Sequence, residues 1–211
     1  MIAAIAGATG LTGHHVLNLL LDGARYDPVI AIVRRPTHRS HPRLRESAGL
    51  PDIERIDVAL CCVGTTIKKA GSEEAFRAVD HGYVLEFARW AKQRGARRFV
   101  FLSSVAAAIS SANFYLRVKA ETERDLEALG FESLEIFQPS MLLGVRGESR
   151  PLERVGQVVA EALRFALAGP LERYRGIAAA DVAKAMVAVT ERPAQGVRRY
   201  EWRAINELSG G

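Results

Sequence analysis

The residues with the clearest chemical purpose are Gly7-Ala8-Thr9-Gly10-Leu11-Thr12-Gly13, three glycines at threefold spacing between an apolar stretch and an amphipathic one. A chain that holds a pyrophosphate against its backbone must turn tightly and clear side chains from the anion's path. It must also aim free N–H groups and the positive end of a helix at that anion. Gly7 is placed to make the turn, Gly10 to leave the path open, and Gly13 to let helix and strand pack closely. Thr9, Leu11 and Thr12 stand between them in the same cofactor-binding loop. Three glycines alone also fit a plain strand-to-helix turn; the flanking strand and helix are what point to a dinucleotide.

A second cluster lies about a hundred residues on. Tyr115-Leu116-Arg117-Val118-Lys119 puts a phenol and an ammonium at i and i+4, one face of a helix. A free tyrosine has a pKa near 10, and a neighbouring cation favours the phenolate and brings the group towards acid–base work at neutral pH. Ser103 and Ser104 end the strand before that helix. After the second strand stand Arg34 and Arg35 where an NAD site would carry a carboxylate for the ribose 2′-hydroxyl. Two guanidiniums there suit the forked contacts of a 2′-phosphate, which favours NADP (NADPH). Two solvated arginines in an arginine-rich chain are the alternative.

The elements that must position these groups alternate. Ile2 to Ala6 reads as a strand, Leu11 to Leu21 as a helix stopped by Gly23, and Pro28 to Val33 as a second strand. Residues from Thr37 to about Arg55 read as loop, with no third strand visible. Val58 to Val63 is an apolar run expected of a strand covered on both faces. Ser72 caps a helix running past Gly82 to Arg94, Phe99 to Leu102 is a strand, and a helix runs from about Asn113 to Leu129, closed by Gly130. Leu134 to Phe137 is the next strand, followed by helices near Val155 to Leu167 and Asp181 to Val189 and a strand near Arg199 to Trp202. Asp181 reads as an N-cap, and His14 and His15, just after the glycine loop, as helix residues, with contact to the cofactor as the alternative. The pattern predicts an α/β chain of Rossmann type. Its doubly wound parallel sheet has helices on both faces in one domain, residues 1–211, with a small substrate-side region from about 140 to 211.

The 211 residues are 48% hydrophobic and 25% charged, which excludes a disordered or fibrous chain, and no apolar run reaches the ~18 residues of a membrane helix. The net charge of +5 does not indicate nucleic acid. Only five of the 29 basic residues are lysine, and acids interleave with them instead of leaving a basic stripe. The two cysteines, Cys61 and Cys62, are adjacent in an apolar run; no metal pattern accompanies them, and they read as buried hydrophobes in a reducing cytoplasm.

GATGLTG, Gly64-Thr65-Thr66, Ser103-Ser104, Tyr115 with Lys119, and the strand end at Pro139 fall in the order of the short-chain dehydrogenase/reductases. The glycine spacing resembles the atypical or extended branch, and CCVGTT, FLSSVAA, NFYLRVKAETE and FQPSMLLG resemble the HIV Tat-interacting protein oxidoreductase group over roughly residues 1 to 190. The resemblance implies that Ser104, or Ser103, bonds the substrate carbonyl, that Tyr115 donates the proton, and that Lys119 tunes Tyr115 and holds the nicotinamide ribose. It also implies that Cys62, Val63, Gly64 and Thr65 lie along the cofactor and Pro139 near the nicotinamide. Asp80 stands where relatives often carry the asparagine of a proton relay. The expectation is therefore a cytoplasmic NADP(H)-dependent oxidoreductase acting on a small carbonyl or alcohol. The alternative is an NADP(H)-binding sensor without turnover. A small molecule is the expected partner, membranes and nucleic acid are not, and a homodimer is left open; the loop from Val105 to Ala112 and the segment from Gly144 to Gly169 are expected to shape the substrate pocket.

Overall fold

Four- and five-residue runs of small and branched apolar side chains build the sheet. In the computed structural model, which describes residues 1–144, 169–193 and 195–210, β1 (Ala3–Ala6), β2 (Val29–Ile32) and β4 (Val58–Cys61) are buried at every position. With β3 (Leu44–Ser47), β5 (Arg98–Leu102), β6 (Ser133–Phe137) and β9 (Gly196–Tyr200) they form one parallel sheet in the order β3-β2-β1-β4-β5-β6-β9. Every pairing in it is parallel, so helices must cross over both faces.

Alternate side chains of each strand feed two cores. On one face Ile5, Val29 and Leu60 pack with Val16, Leu17 and Leu20 of α1 (Gly13–Asp22) and Val182, Met186 and Val189 of α6 (Ala179–Glu191). On the other, Ala6, Ile30 and Phe101 meet Leu85, Phe87 and Ala88 of α4 (Val84–Gln93) and Leu126 of α5 (Phe114–Ala128). Each such leucine or phenylalanine, fully buried, contributes about 1.5–3 kcal/mol.

Between β4 and α4 lie α2 (Ile67–Ala70) and α3 (Glu73–Arg77), the latter capped as expected by Ser72, whose hydroxyl accepts the Ala75 N–H at 3.0 Å. The helix expected from Ser72 to Arg94 is not uniform, because Ala78–Tyr83 winds as a π-helix. Such wider turns reset the side-chain register and recur at functional sites. Here the register carries Asp80 inward. A short strand pair, β7 (Leu142–Leu143) with β8 (Ile177–Ala178), sits beyond β6.

Three expectations are corrected. Residues expected to be loop contain β3, a strand whose polar LRES sequence suits an exposed sheet edge and hides the usual apolar signal. Asp181 is not the N-cap of α6: Ala178 occupies that position, and Asp181 lies in the first turn, paired with Lys184 at 3.1 Å. A terminal helix α7 (Trp202–Ser209) follows β9 where only a strand is expected. The helix expected near Val155 to Leu167, and all but the ends of the segment from Gly144 to Gly169, lie outside the described residues.

Candidate active site

The strand order reverses about β1 and β4, and at the carboxyl ends of these strands an open α/β sheet leaves a crevice. A cleft of about 700 Å³ occupies that position. The glycine loop forms one wall. Gly7 has φ +83°, and a Cβ there would stand 2.6 Å from the Cys62 carbonyl carbon, so the position requires glycine. Gly10 closes the turn, its N–H donating to the Gly7 carbonyl at 3.0 Å, and lies exposed with Thr9 at the cleft. Gly13 is buried below, where a Cβ would fall 2.0 Å from the Gly7 oxygen. Thr12 precedes α1 and lines the cleft with its hydroxyl buried and without a hydrogen-bond partner among the described residues. A buried hydroxyl without a partner lacks about 1–3 kcal/mol that a ligand oxygen or water would supply. Together with the glycines of the turn and the N-terminus of α1, it fits the residues to a pyrophosphate.

The opposite wall comes from α5. Asn113 caps it, its side-chain oxygen accepting the N–H of Tyr115 at 2.9 Å. Tyr115 and Lys119 then share the cleft-facing side, as the i, i+4 spacing requires. The Tyr115 ring packs 5.5 Å from that of the fully buried Phe76. Lys119 is only 3% exposed, with its ammonium 5.2 Å from the Phe101 ring centre and 2.9 Å from Asp80 Oδ1. Burial alone would push the Lys119 pKa down, but the Asp80 carboxylate and the Tyr115 oxygen carry it above the ordinary lysine value.

Asp80 is completely buried and its second oxygen accepts the Thr65 N–H at 2.9 Å. Gly64 lies directly over the pair: a Cβ there would sit 3.5 Å from Asp80 Oδ1 and 3.8 Å from Lys119 Nζ. The loop after β4 therefore runs across the ion pair, and Cys62, Val63, Gly64 and Thr65 all line the cleft. Cys61 and Cys62 are both buried free thiols, and burial pushes the Cys61 pKa up to about 12 and that of Cys62 higher still.

The two serines separate. Ser103 lines the cleft, and its hydroxyl donates to Glu123 Oε1 of α5. Glu123, 4% exposed, also accepts from Gln138 Nε2 at 2.9 and 3.0 Å and from Arg199 Nε at 3.3 Å. Ser104 lies off the cleft wall, its hydroxyl 3.3 Å from the Val105 carbonyl. Pro139 is buried, with its carbonyl accepting the Val105 N–H, and it too is off the wall. Arg34 and Arg35 are exposed beyond the end of β2 and outside the lining, as is the buried Gly13. Thr9, Gly10, Leu11, Thr12, Ser103, Tyr115 and Lys119 are thus brought together. Sequence reasoning gave no site role to Thr66, Lys69, Leu102 or Leu142, all on the lining, and it met His14 there only as an alternative and Asp80 only as a departure from relatives. No local pattern marks Asp80, because its position depends on the π-helical turn.

The sequence matches the NAD dependent epimerase/dehydratase family over residues 3–202. It is 39% identical over 160 residues to Protein HTATIP2 of Rattus norvegicus, a match covering 71% of this chain and 66% of the rat protein. It is 33% identical over 171 residues to Protein fmp52, mitochondrial, of Aspergillus clavatus, covering 74% of this chain and 73% of that one. The chain thus spans about two thirds of the rat relative's length. Among solved structures it is similar to a UDP-glucose 4-epimerase of Thermotoga maritima with UDP-glucose (TM-score 0.69, 16% identity, 100% of this chain and 81% of that one). It is also similar to MoeE5 in complex with UDP-glucose and NAD (TM-score 0.68, 18% identity, 99% and 79%). These likenesses bear out the Rossmann-type fold. The fungal relatives, Candida albicans included, are named mitochondrial, which overturns the cytoplasmic expectation. Buried thiols and overall composition speak to redox state and solubility, not to compartment.

Proposed function

The chain belongs to the NAD-dependent epimerase/dehydratase family, and on that premise we propose that it is an NADP(H)-dependent oxidoreductase acting on a small carbonyl or alcohol. One observation carries the reading: Tyr115 and Lys119 face the same cleft that the glycine loop walls, although more than a hundred residues separate them in the chain. The relationship to the short-chain dehydrogenases of the extended branch, including the Tat-interacting protein group, rests on the family match and the rat relative.

In this reading the glycine loop, with Gly7, Gly10 and Gly13 shaping it and Thr12 supplying a hydroxyl, takes the pyrophosphate. The bound nicotinamide would supply or accept the hydride. Tyr115 delivers the proton to the oxygen that becomes the alcohol, and takes it back in the reverse direction. Lys119 lies beside it, fixed for a ribose hydroxyl, and Leu102 with Leu142 adds apolar surface to the cleft lining. Because the Ser103 proton goes to Glu123, Ser103 offers its lone pairs to the cleft; it orients a hydroxyl donor and does not polarise a carbonyl. The absence of a carboxylate after β2 and the presence of Arg34 and Arg35 there support a 2′-phosphate. Titration with NADPH and NADH, followed by turnover on a panel of carbonyls, tests the proposal. NADPH bound and oxidised supports it, NADPH bound and never oxidised indicates a sensor, and no binding of either nucleotide refutes it.

A further inference from the structure

Asp80 and Lys119 form an ion pair more deeply buried than either group tolerates alone, at 0% and 3% exposure and 2.9 Å. A buried lysine without a counter-ion gives up its proton, and a buried carboxylate without one takes up a proton. The groups facing the Lys119 ammonium come from four elements: Tyr115 of its own helix, Asp80 of the π-helical stretch, Cys61 of β4 and the Phe101 ring of β5. Asp80 is the only carboxylate among them. It is itself held at three points. One oxygen meets Lys119, the other accepts the Thr65 N–H at 2.9 Å, and its backbone carbonyl lies 3.0 Å from the Thr122 hydroxyl, whose single proton is shared with the Val118 carbonyl at 2.7 Å. Asp80 therefore ties together three parts of the site: the loop after β4, the π-helical turn, and α5 with its tyrosine and lysine. Gly64 has no side chain that would screen the pair from the cleft.

We propose that Asp80 is a positioning residue of this site, whose carboxylate keeps the Lys119 ammonium both charged and fixed at one point of the cleft wall. An asparagine in its place would contribute hydrogen bonds but no charge. In this chain a full negative charge does the holding, and the lysine can remain almost completely buried. The raised pKa of Lys119 agrees with that hold, since burial alone acts in the opposite direction. For function, the inference rests on the reading that the cleft takes a dinucleotide. The state of Lys119 itself is measurable without one.

The first arm needs only the free protein. The chain has five lysines, so labelling with lysine carrying 13C at Cε gives five resonances, and Lys119→Met identifies the one concerned. In the wild type the Lys119 resonance should hold its ammonium position at pH values where the exposed lysines have begun to titrate. Asp80→Asn should lower its midpoint by more than one pH unit. A wild-type Lys119 that titrates with or below the exposed lysines overturns the proposal, and this holds even if Asp80→Asn fails to fold. A midpoint unmoved in a folded Asp80→Asn also overturns it. The second arm is NADPH affinity from pH 7.5 to pH 9.5, above the second ionisation of a 2′-phosphate at about 6. The wild type should change little, whereas Asp80→Asn should weaken steadily with rising pH as Lys119 loses its charge. A purely structural role would lower affinity by the same factor at every pH. If no dinucleotide binds at any pH, the proposed function fails, while the titration still decides whether Asp80 holds Lys119.

Discussion

Replacing Gly13 by alanine is the most informative small change in the glycine loop. The added Cβ would lie 2.0 Å from the Gly7 carbonyl oxygen, 2.8 Å from its carbon and 3.2 Å from Ala8 Cα. Ordinary non-bonded separations are about 3.5 Å or more, so the first contact is short by well over ~1 Å. Every obstructing atom is backbone, which cannot rotate away as a side-chain tip could. Two effects oppose each other. Alanine is favoured over glycine in a helix by about 1 kcal/mol, whereas overpacking costs about 1–3 kcal/mol and occasionally more. With backbone on both sides of the clash the steric term should lie at or above the top of that range, leaving a net loss of about 2 kcal/mol or more. Relief must come from moving the Gly7 turn, the same turn that receives the pyrophosphate, so NADPH affinity should fall at least tenfold. Gly10→Ala serves as the control. Its Cβ would meet the Gly7 oxygen at 3.2 Å, a contact that a shift of a few tenths of an ångström relieves, so its stability should be nearly normal. Urea unfolding and a fluorescence titration with NADPH measure both quantities. A Gly13→Ala protein with wild-type stability and wild-type affinity would refute the steric account of this loop.

Tyr115→Phe keeps the ring against Phe76 but removes the hydroxyl; kcat on any substrate found should drop by about 10²–10⁴ with NADPH affinity almost unchanged, and undiminished turnover would take the tyrosine out of the chemistry. Arg34→Ala with Arg35→Ala should lower NADPH affinity by about 1.5–3 kcal/mol, roughly ten- to 150-fold, and leave NADH affinity nearly constant; an equal loss for both nucleotides would contradict a 2′-phosphate contact. Stability should also carry the signature of the buried lysine. The folded pKa of Lys119 lies above its unfolded value of 10.5, so its contribution is complete below pH 10.5 and is lost as pH rises through the higher folded value. Urea midpoints measured from pH 9 to pH 12 should fall in the wild type, and that component should vanish in Asp80→Asn/Lys119→Met, where neither charge is left unpaired.

What the sequence reveals about this chain is whatever local spacing encodes. The glycine loop follows from three glycines between two short elements. The α5 face follows from the i, i+4 interval, and β1, β2 and β4 follow from unbroken apolar runs. The features that escape it are set by tertiary context. β3 is an edge strand whose polar side chains meet water, so it lacks the apolar signal that makes its neighbours legible. Asp80 turns inward because the helix widens for one π-helical turn, a change of register that no hydrophobic period announces. Ser103 and Ser104 are indistinguishable as adjacent serines. The buried carboxylate of Glu123, two turns along α5 from Tyr115, is what separates them, by drawing the hydroxyl of one and not the other. Arg34 and Arg35 are legible as residue types, but they extend from the surface and do not line the cleft.

The measurement that bears most directly on the central claim is a calorimetric titration of NADPH into the wild-type protein, repeated with Gly13→Ala. A saturable one-to-one isotherm in the wild type, at least tenfold weaker in the variant, is the result expected from a pyrophosphate seated on the Gly7–Gly13 loop. The absence of a binding isotherm for NADPH and for NADH in the wild type would contradict the assignment of this cleft to a dinucleotide.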